Sequence, residues 1–112
     1  MRLTTVAAVL IGLLWTASAS AQDQAKIDQG MKLFTAQKCT LCHSVAGKGN
    51  AKGPLDSVGK TMSAEDIHQW LVNPAEMMKK ANSTRKPPMK SYASLPKADQ
   101  DALVAYMLSL KK

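Results

Sequence analysis

Cys39-Thr40-Leu41-Cys42-His43 is the stretch that decides how this 112-residue chain reads. The C-x-x-C-H pattern is that of covalent haem attachment. Two thiols three positions apart can reach the two vinyl groups of one porphyrin and bond to them as thioethers. The imidazole next in sequence can then meet the iron from one face. Cys39 and Cys42 are therefore the expected attachment residues for one haem c, and His43 is an expected ligand of its iron. Three other readings of these residues are weaker. A thioredoxin-like redox pair belongs in a βαβ setting, and no strand pattern is visible. A zinc site takes four ligands, usually from two separated pairs; here there is one pair, and the other histidine, His68, lies 25 positions on. A plain disulfide suits a secreted protein but leaves His43 without a role.

Outward from this motif, three apolar patterns have helical period. Ile27, Gly30 or Met31, and Phe34 fall on one face of a helix over about 25–38. Ser63-Ala64-Glu65-Asp66 has the form of a capping box, with Asp in place of Glu or Gln. Ile67, Trp70 and Leu71 then line one side of the helix it opens. Asn73-Pro74 stops that helix and starts a short one, because Asn caps well and Pro suits the first helical position. Leu103, Tyr106 or Met107, and Leu110 share a face over about 96–110, where Lys111 and Lys112 suit the negative end of the helix dipole. Between the helices lie two loops. Residues 44–60 hold four glycines and one proline, and residues 81–94 are polar and contain Pro87-Pro88. No stretch alternates like a half-buried strand, and there is no internal repeat. The expected fold is all-α, about four helices with long loops wrapped round one covalently bound haem.

The second iron ligand has seven candidates: Met31, Met62, Met77, Met78, Met89, Met107 and His68. A Met on a helix face is more often core filler than ligand, which covers Met31 and Met107. Met77 and Met78 fall in the short helix after Pro74. Met89 differs, because it follows Lys86-Pro87-Pro88, where helix is disfavoured and the backbone is stiff. A sulfur that must stay on a metal gains from that stiffness. His68 reads as a partly exposed helix residue.

The N-terminus reads as a secretory signal over residues 1–21. Arg2 is its positive start, an apolar run follows over 6–15, and Ala19-Ser20-Ala21 is a small-x-small cleavage pattern. The run is too short to span a bilayer, which takes about 20 residues. Cleavage would leave one domain, 22–112, with no transmembrane span, 14 Lys and Arg against 8 Asp and Glu, and a charge of +6. So small a domain buries little core and commonly needs a staple. Its positive charge favours an acidic partner, an anionic membrane face or nucleic acid, and export argues against nucleic acid.

The chain resembles class I cytochromes c over nearly its whole expected mature length. The matching residues are Gly30-x-x-x-Phe34, then Cys39-x-x-Cys42-His43, Gly53-Pro54-x-Asp56, Pro88-Met89 and Leu103-x-x-Tyr106. The resemblance implies a crossing of the first and last helices near Gly30 and Tyr106. It implies that the Pro54 carbonyl accepts a hydrogen bond from the free ring nitrogen of His43, which would fix the ring's orientation and basicity. It also implies Met89 as the distal iron ligand. Trp70-x-x-Asn73-Pro74 looks like bacterial members and departs from mitochondrial ones, so Trp70 is either a wall of the haem site or ordinary core.

With His43 and Met89 both bound, the iron would have no open position, and the expected function is single-electron transfer, not catalysis. The protein would be a periplasmic electron carrier of a Gram-negative bacterium, meeting redox partners with acidic docking surfaces. Lys38, Lys48, Lys52, Lys86 and Lys90 flank the haem-binding segments and are candidates for that docking. A haem subunit of a larger oxidoreductase is the alternative. A gas sensor or peroxidase would need an open or labile sixth position.

Overall fold

The computed structural model describes residues 18–112, and most of the expected signal segment lies outside them. Helix α1 spans Ser18–Ala36. It starts well before the apolar pattern because polar residues extend it, with Gln24 Nε2 donating to Asp28 Oδ1 one turn on at 2.9 Å. It ends where Lys38 turns into the left-handed region at φ 58°. Helix α5 spans Lys97–Ser109 and packs across α1.

Gly30 makes that crossing close. A Cβ there would stand 2.6 Å from Tyr106 Cβ and closer still to the Ala102 carbonyl oxygen. One turn on, the Phe34 and Tyr106 rings meet edge to face with centroids 5.7 Å apart, a favoured aromatic geometry. Of the alternatives on this face, Gly30 is the one buried, while Met31 is 49% exposed. On α5, Tyr106 and Met107 are both buried.

Helix α3, Ala64–Val72, opens at Ser63, whose Oγ accepts from the Asp66 N–H at 3.1 Å. Asn73 ends α3, and Pro74 occupies the first turn of α4, Pro74–Lys80. Ile67 and Leu71 of α3 join Phe34, Leu103, Tyr106 and Met107 in the buried cluster between α1, α3 and α5.

The 44–60 region is more structured than a plain loop. Strands β1, Ser44–Val45, and β2, Lys48–Gly49, pair antiparallel, Ser44 opposite Gly49 and Val45 opposite Lys48. Ala46 and Gly47 between them both have positive φ, 51° and 78°, the requirement of the tight hairpin turn that matches strand twist. Two-residue strands are too short to show alternation in the sequence. The single-turn helix α2, Val58–Thr61, follows and raises the count to five α-helices among the described residues. It is fixed from a distance, with the Gly59 N–H donating to the Leu110 carbonyl at 2.8 Å. Among the described residues the fold is all-α apart from this small hairpin.

Candidate haem-attachment site

Cys39–Leu41 forms a 3₁₀ turn directly after α1. In such a turn residues i and i+3 eclipse, so Cys39 and Cys42 face the same side. The Cys39 carbonyl accepts from the N–H groups of Cys42, at 3.1 Å, and His43, at 2.9 Å. Asn50 closes the turn from below. Its backbone N–H reaches the Thr40 and His43 carbonyls at 3.1 and 3.0 Å, and its Nδ2 donates to the Leu41 carbonyl at 3.1 Å. Both thiols are half-buried and unpaired, which leaves the disulfide reading unsupported. Burial pushes the Cys39 thiol above its ordinary range. Leu41 stands out into solvent, 71% exposed.

The His43 ring is half-buried, and its Nδ1 lies 3.1 Å from the carbonyl oxygen of Gly53. This corrects the Pro54 expectation by one residue. The reason is the pairing of the chain here: Ser44 bridges to Pro54, its N–H donating to Gly53 O at 3.0 Å and its carbonyl accepting from Leu55 N–H at 2.9 Å. That register turns the Gly53 carbonyl toward residues 43 and 44 and leaves Pro54 to run on, exposed. With Nδ1 donating to Gly53, Nε2 keeps its lone pair. Burial lowers the ring's pKa against the opposing pull of the Gly53 carbonyl, with Arg85 adding to the lowering. Burial thus favours the neutral ring, the form a metal binds.

Arg85 comes from the far loop, and its guanidinium donates to the Cys42 carbonyl. Gly53 permits this approach, since a Cβ there would overlap both groups. Four residues on, Met89 is half-buried and packs against the core cluster, as do Cys39 and Tyr92. Tyr92 sits beside Cys39, and its phenol is pushed up to about 12, first by burial and then by the neighbouring sulfur.

The other candidates lie on the helices or against the core. The His68 Nε2 pairs with Gln100 Oε1 at 3.0 Å. Met107 is buried core and Met62 packs against that core, while Met77 and Met78 are half-buried on α4. Trp70 is half-buried on α3 and is not a member of the core cluster. Lys38, Lys48, Lys52, Lys86 and Lys90 are all exposed, and the Lys90 ammonium lies 5.2 Å from the centre of the Tyr92 ring.

Sequence reasoning missed Gly53, Asn50 and Arg85. Gly49-Asn50 is a turn signal that could have marked Asn50. Nothing local marks Arg85, whose partner lies 43 positions away.

Two half-buried thiols on one side of a turn, an imidazole whose Nδ1 is engaged and whose Nε2 is free, and a thioether on a stiff segment suit a covalently held haem. Among the described residues, no cluster of His, Cys, Asp and Glu could hold a bare metal ion, and no helix is long and apolar enough to cross a membrane. The chain is similar to cytochrome c oxidase subunit 2 of Alkalihalophilus pseudofirmus, 30% identical over 93 residues. That likeness covers 75% of this chain and spans only about a quarter, 25%, of that protein's length. No solved structure matches the chain. The cytochrome c family profile matches residues 27–111, from the first core residue of α1 to beyond the end of α5. The chain therefore belongs to the cytochrome c family, whose members carry covalently bound haem c and transfer electrons.

Proposed function

We propose that this protein is a periplasmic carrier that moves single electrons through one haem c, bonded at Cys39 and Cys42 and ligated by His43 and Met89. The observation that carries this reading is the His43 ring, whose Nδ1 is engaged by Gly53 at 3.1 Å while Nε2 remains available to a metal. Cys39 and Cys42 would hold the haem through thioether bonds, each S–H adding across one vinyl group with no net change of oxidation state. When bound, the haem supplies a one-electron iron couple whose potential Met/His ligation raises relative to other axial pairs. The chain's own residues keep the site ready for that couple. Gly53 fixes the imidazole, Asn50 and Arg85 fix the attachment turn, and Met89 would supply the second iron ligand.

Residues 1–21 are proposed as a cleaved signal, with 22–112 the working domain. The partners are redox proteins with acidic surfaces that meet the exposed lysines briefly, since weak redox encounters use small interfaces and complementary charge mainly speeds their approach. The likeness to an oxidase subunit favours a second reading, a haem subunit of a larger oxidoreductase. Stable co-purification with a catalytic chain would select that reading.

The test is a visible and near-infrared spectrum of the purified protein in both redox states, followed by carbon monoxide. A low-spin spectrum, a sulfur-to-ferric-iron band that disappears in Met89→Ala and no carbon monoxide uptake by the intact protein are expected. Ready uptake would overturn the sealed-carrier reading and point to sensing or peroxide chemistry.

A further inference from the structure

Residues 81–95 carry Met89, and the bonds that hold them fall on either side of it. Upstream, Ser83 N–H donates to the Met78 carbonyl at 2.9 Å and Arg85 reaches Cys42. Downstream, Ser91 Oγ donates to the Val72 carbonyl at 3.0 Å and Tyr92 N–H to the Leu71 carbonyl at 2.7 Å, both at the end of α3. A third downstream tie comes from α5. Gln100 is a buried polar residue, 8% exposed, in the first turns of that helix. Its Nε2 donates to the carbonyls of Ala93, at 3.2 Å, and Leu95, at 3.0 Å. Its Oε1 faces His68 Nε2 at 3.0 Å.

This arrangement fixes the polarity of the whole contact. Both amide protons of Gln100 are committed to main-chain carbonyls, so its oxygen must accept. His68 must therefore present Nε2–H, as it does whether or not Nδ1 carries a second proton. A buried amide with every polar atom engaged is costly to replace. Burying a glutamine at a helix start is not needed for packing, because an aliphatic residue of similar size would fill the space without three bonds to satisfy. The side chain is placed to clamp three elements at once: α3, α5 and the segment that follows Met89.

We infer that Gln100, oriented by His68, is a positioning residue that keeps the Met89 sulfur on the iron by fixing the downstream end of its segment. The inference rests on the proposed ligation by Met89. Nothing in it requires Gln100 to touch the haem.

The test uses the haem-loaded, full protein and added imidazole, which competes with Met89 for ferric iron. Gln100→Met keeps volume and removes all three bonds. It should bind imidazole about tenfold more tightly than the wild type, because a looser segment surrenders its sulfur more readily; net losses of this size follow from removing buried hydrogen bonds. The sulfur-to-iron band should also weaken before any imidazole is added. Gln100→Glu keeps the acceptor toward His68 and loses the paired donors, and should shift affinity the same way if Gln100→Met fails to accumulate. A purely structural role would lower the unfolding midpoint and leave imidazole affinity unchanged, and that result overturns the inference. Met89→Ala separates the two claims. If it keeps the band, the ligand assignment fails and the inference falls with it. If it loses the band while both Gln100 variants bind imidazole like the wild type, the inference alone fails.

Discussion

Replacing Gly30 with alanine tests the helix crossing on which the fold depends. The new Cβ would stand 2.6 Å from Tyr106 Cβ and nearer still to the Ala102 carbonyl oxygen. Ordinary contact needs roughly 3.5–4.0 Å between carbons, so α1 and α5 would have to part by about 1 Å. Neither neighbour can swing aside, since one is backbone and the other is the root of a buried side chain. Overpacking of this kind costs about 1–3 kcal/mol, and two rigid neighbours put it near the top of that range. Alanine returns about 1 kcal/mol through helix propensity. The net loss is therefore about 2 kcal/mol. For a domain of this size each kcal/mol moves Tm by roughly 4–8 °C, so Tm should fall by about 8–16 °C. The assay is thermal unfolding of the haem-loaded protein, followed by far-ultraviolet circular dichroism. Gly47→Ala is the control, since a Cβ at that position meets nothing within 4 Å and bears only the strain of φ +78°. It should cost about 1–2 kcal/mol, the penalty for a left-handed residue, without disturbing the crossing. A Gly30→Ala protein as stable as the wild type, or more so, would refute the close approach and leave propensity as the governing effect.

Ser63→Ala removes the oxygen that accepts the Asp66 N–H; it should cost about 1 kcal/mol, read as a lower denaturant midpoint with an unchanged slope. Burial, assisted by Asp56, raises the Tyr106 phenol above its ordinary pKa, so the native state favours the neutral phenol. Its contribution to stability is full below the unfolded value, about 10, and is lost as pH rises through the folded value; between those two values stability of the wild type should fall more steeply than that of Tyr106→Phe. Reversing Lys86 and Lys90 to glutamate should slow electron transfer to an acidic partner at low salt, with the difference shrinking as ionic strength rises; rates that are equal and flat with salt would remove these lysines from docking.

The parts of the fold that announce themselves are those with local causes. Ser63 opens α3 through its cap bond, and Asn73-Pro74 divides α3 from α4 with Pro74 in the first turn, although Asn73 makes no side-chain cap bond. The faces of α1 and α5 follow from the spacing of Ile27, Gly30, Phe34, Leu103 and Tyr106. What stayed hidden depends on partners far along the chain. Helix α2 is one turn long and owes its place to the Gly59 N–H on Leu110. The polar start of α1 has no apolar period to reveal it. At the site, the attachment residues are legible because their spacing is dictated by the porphyrin. The second bond of His43 is legible only to within a residue: Gly53 and Pro54 each offer a carbonyl, and the choice falls to the Ser44–Pro54 bridge. Arg85 and Gln100 look in sequence like any solvated polar residue, and only the folded chain puts one against Cys42 and the other beneath residues 93–95.

The proposed iron ligands both sit on loops, but the two loops are fixed differently: His43 is tied through its own backbone and ring, while Met89 is held from either side. Around His43 the ties are Cys39, Asn50 and Gly53; around Met89 they are Arg85 on one side and residues 91–95 on the other. For Met89 this division has a chemical cause. Pro87 and Pro88 have no N–H, so the segment cannot be tied by its own donors there and must be held from its ends. The two devices need one another. Anchors without prolines would hold the ends of a slack arc, and prolines without anchors would make a stiff arc of uncertain position. Together they would hold the proposed ligand sulfur in place, so that little would need to rearrange when an iron bound there changed charge. Preorganisation of that kind is worth most in an electron carrier, where the same coordination must serve both oxidation states.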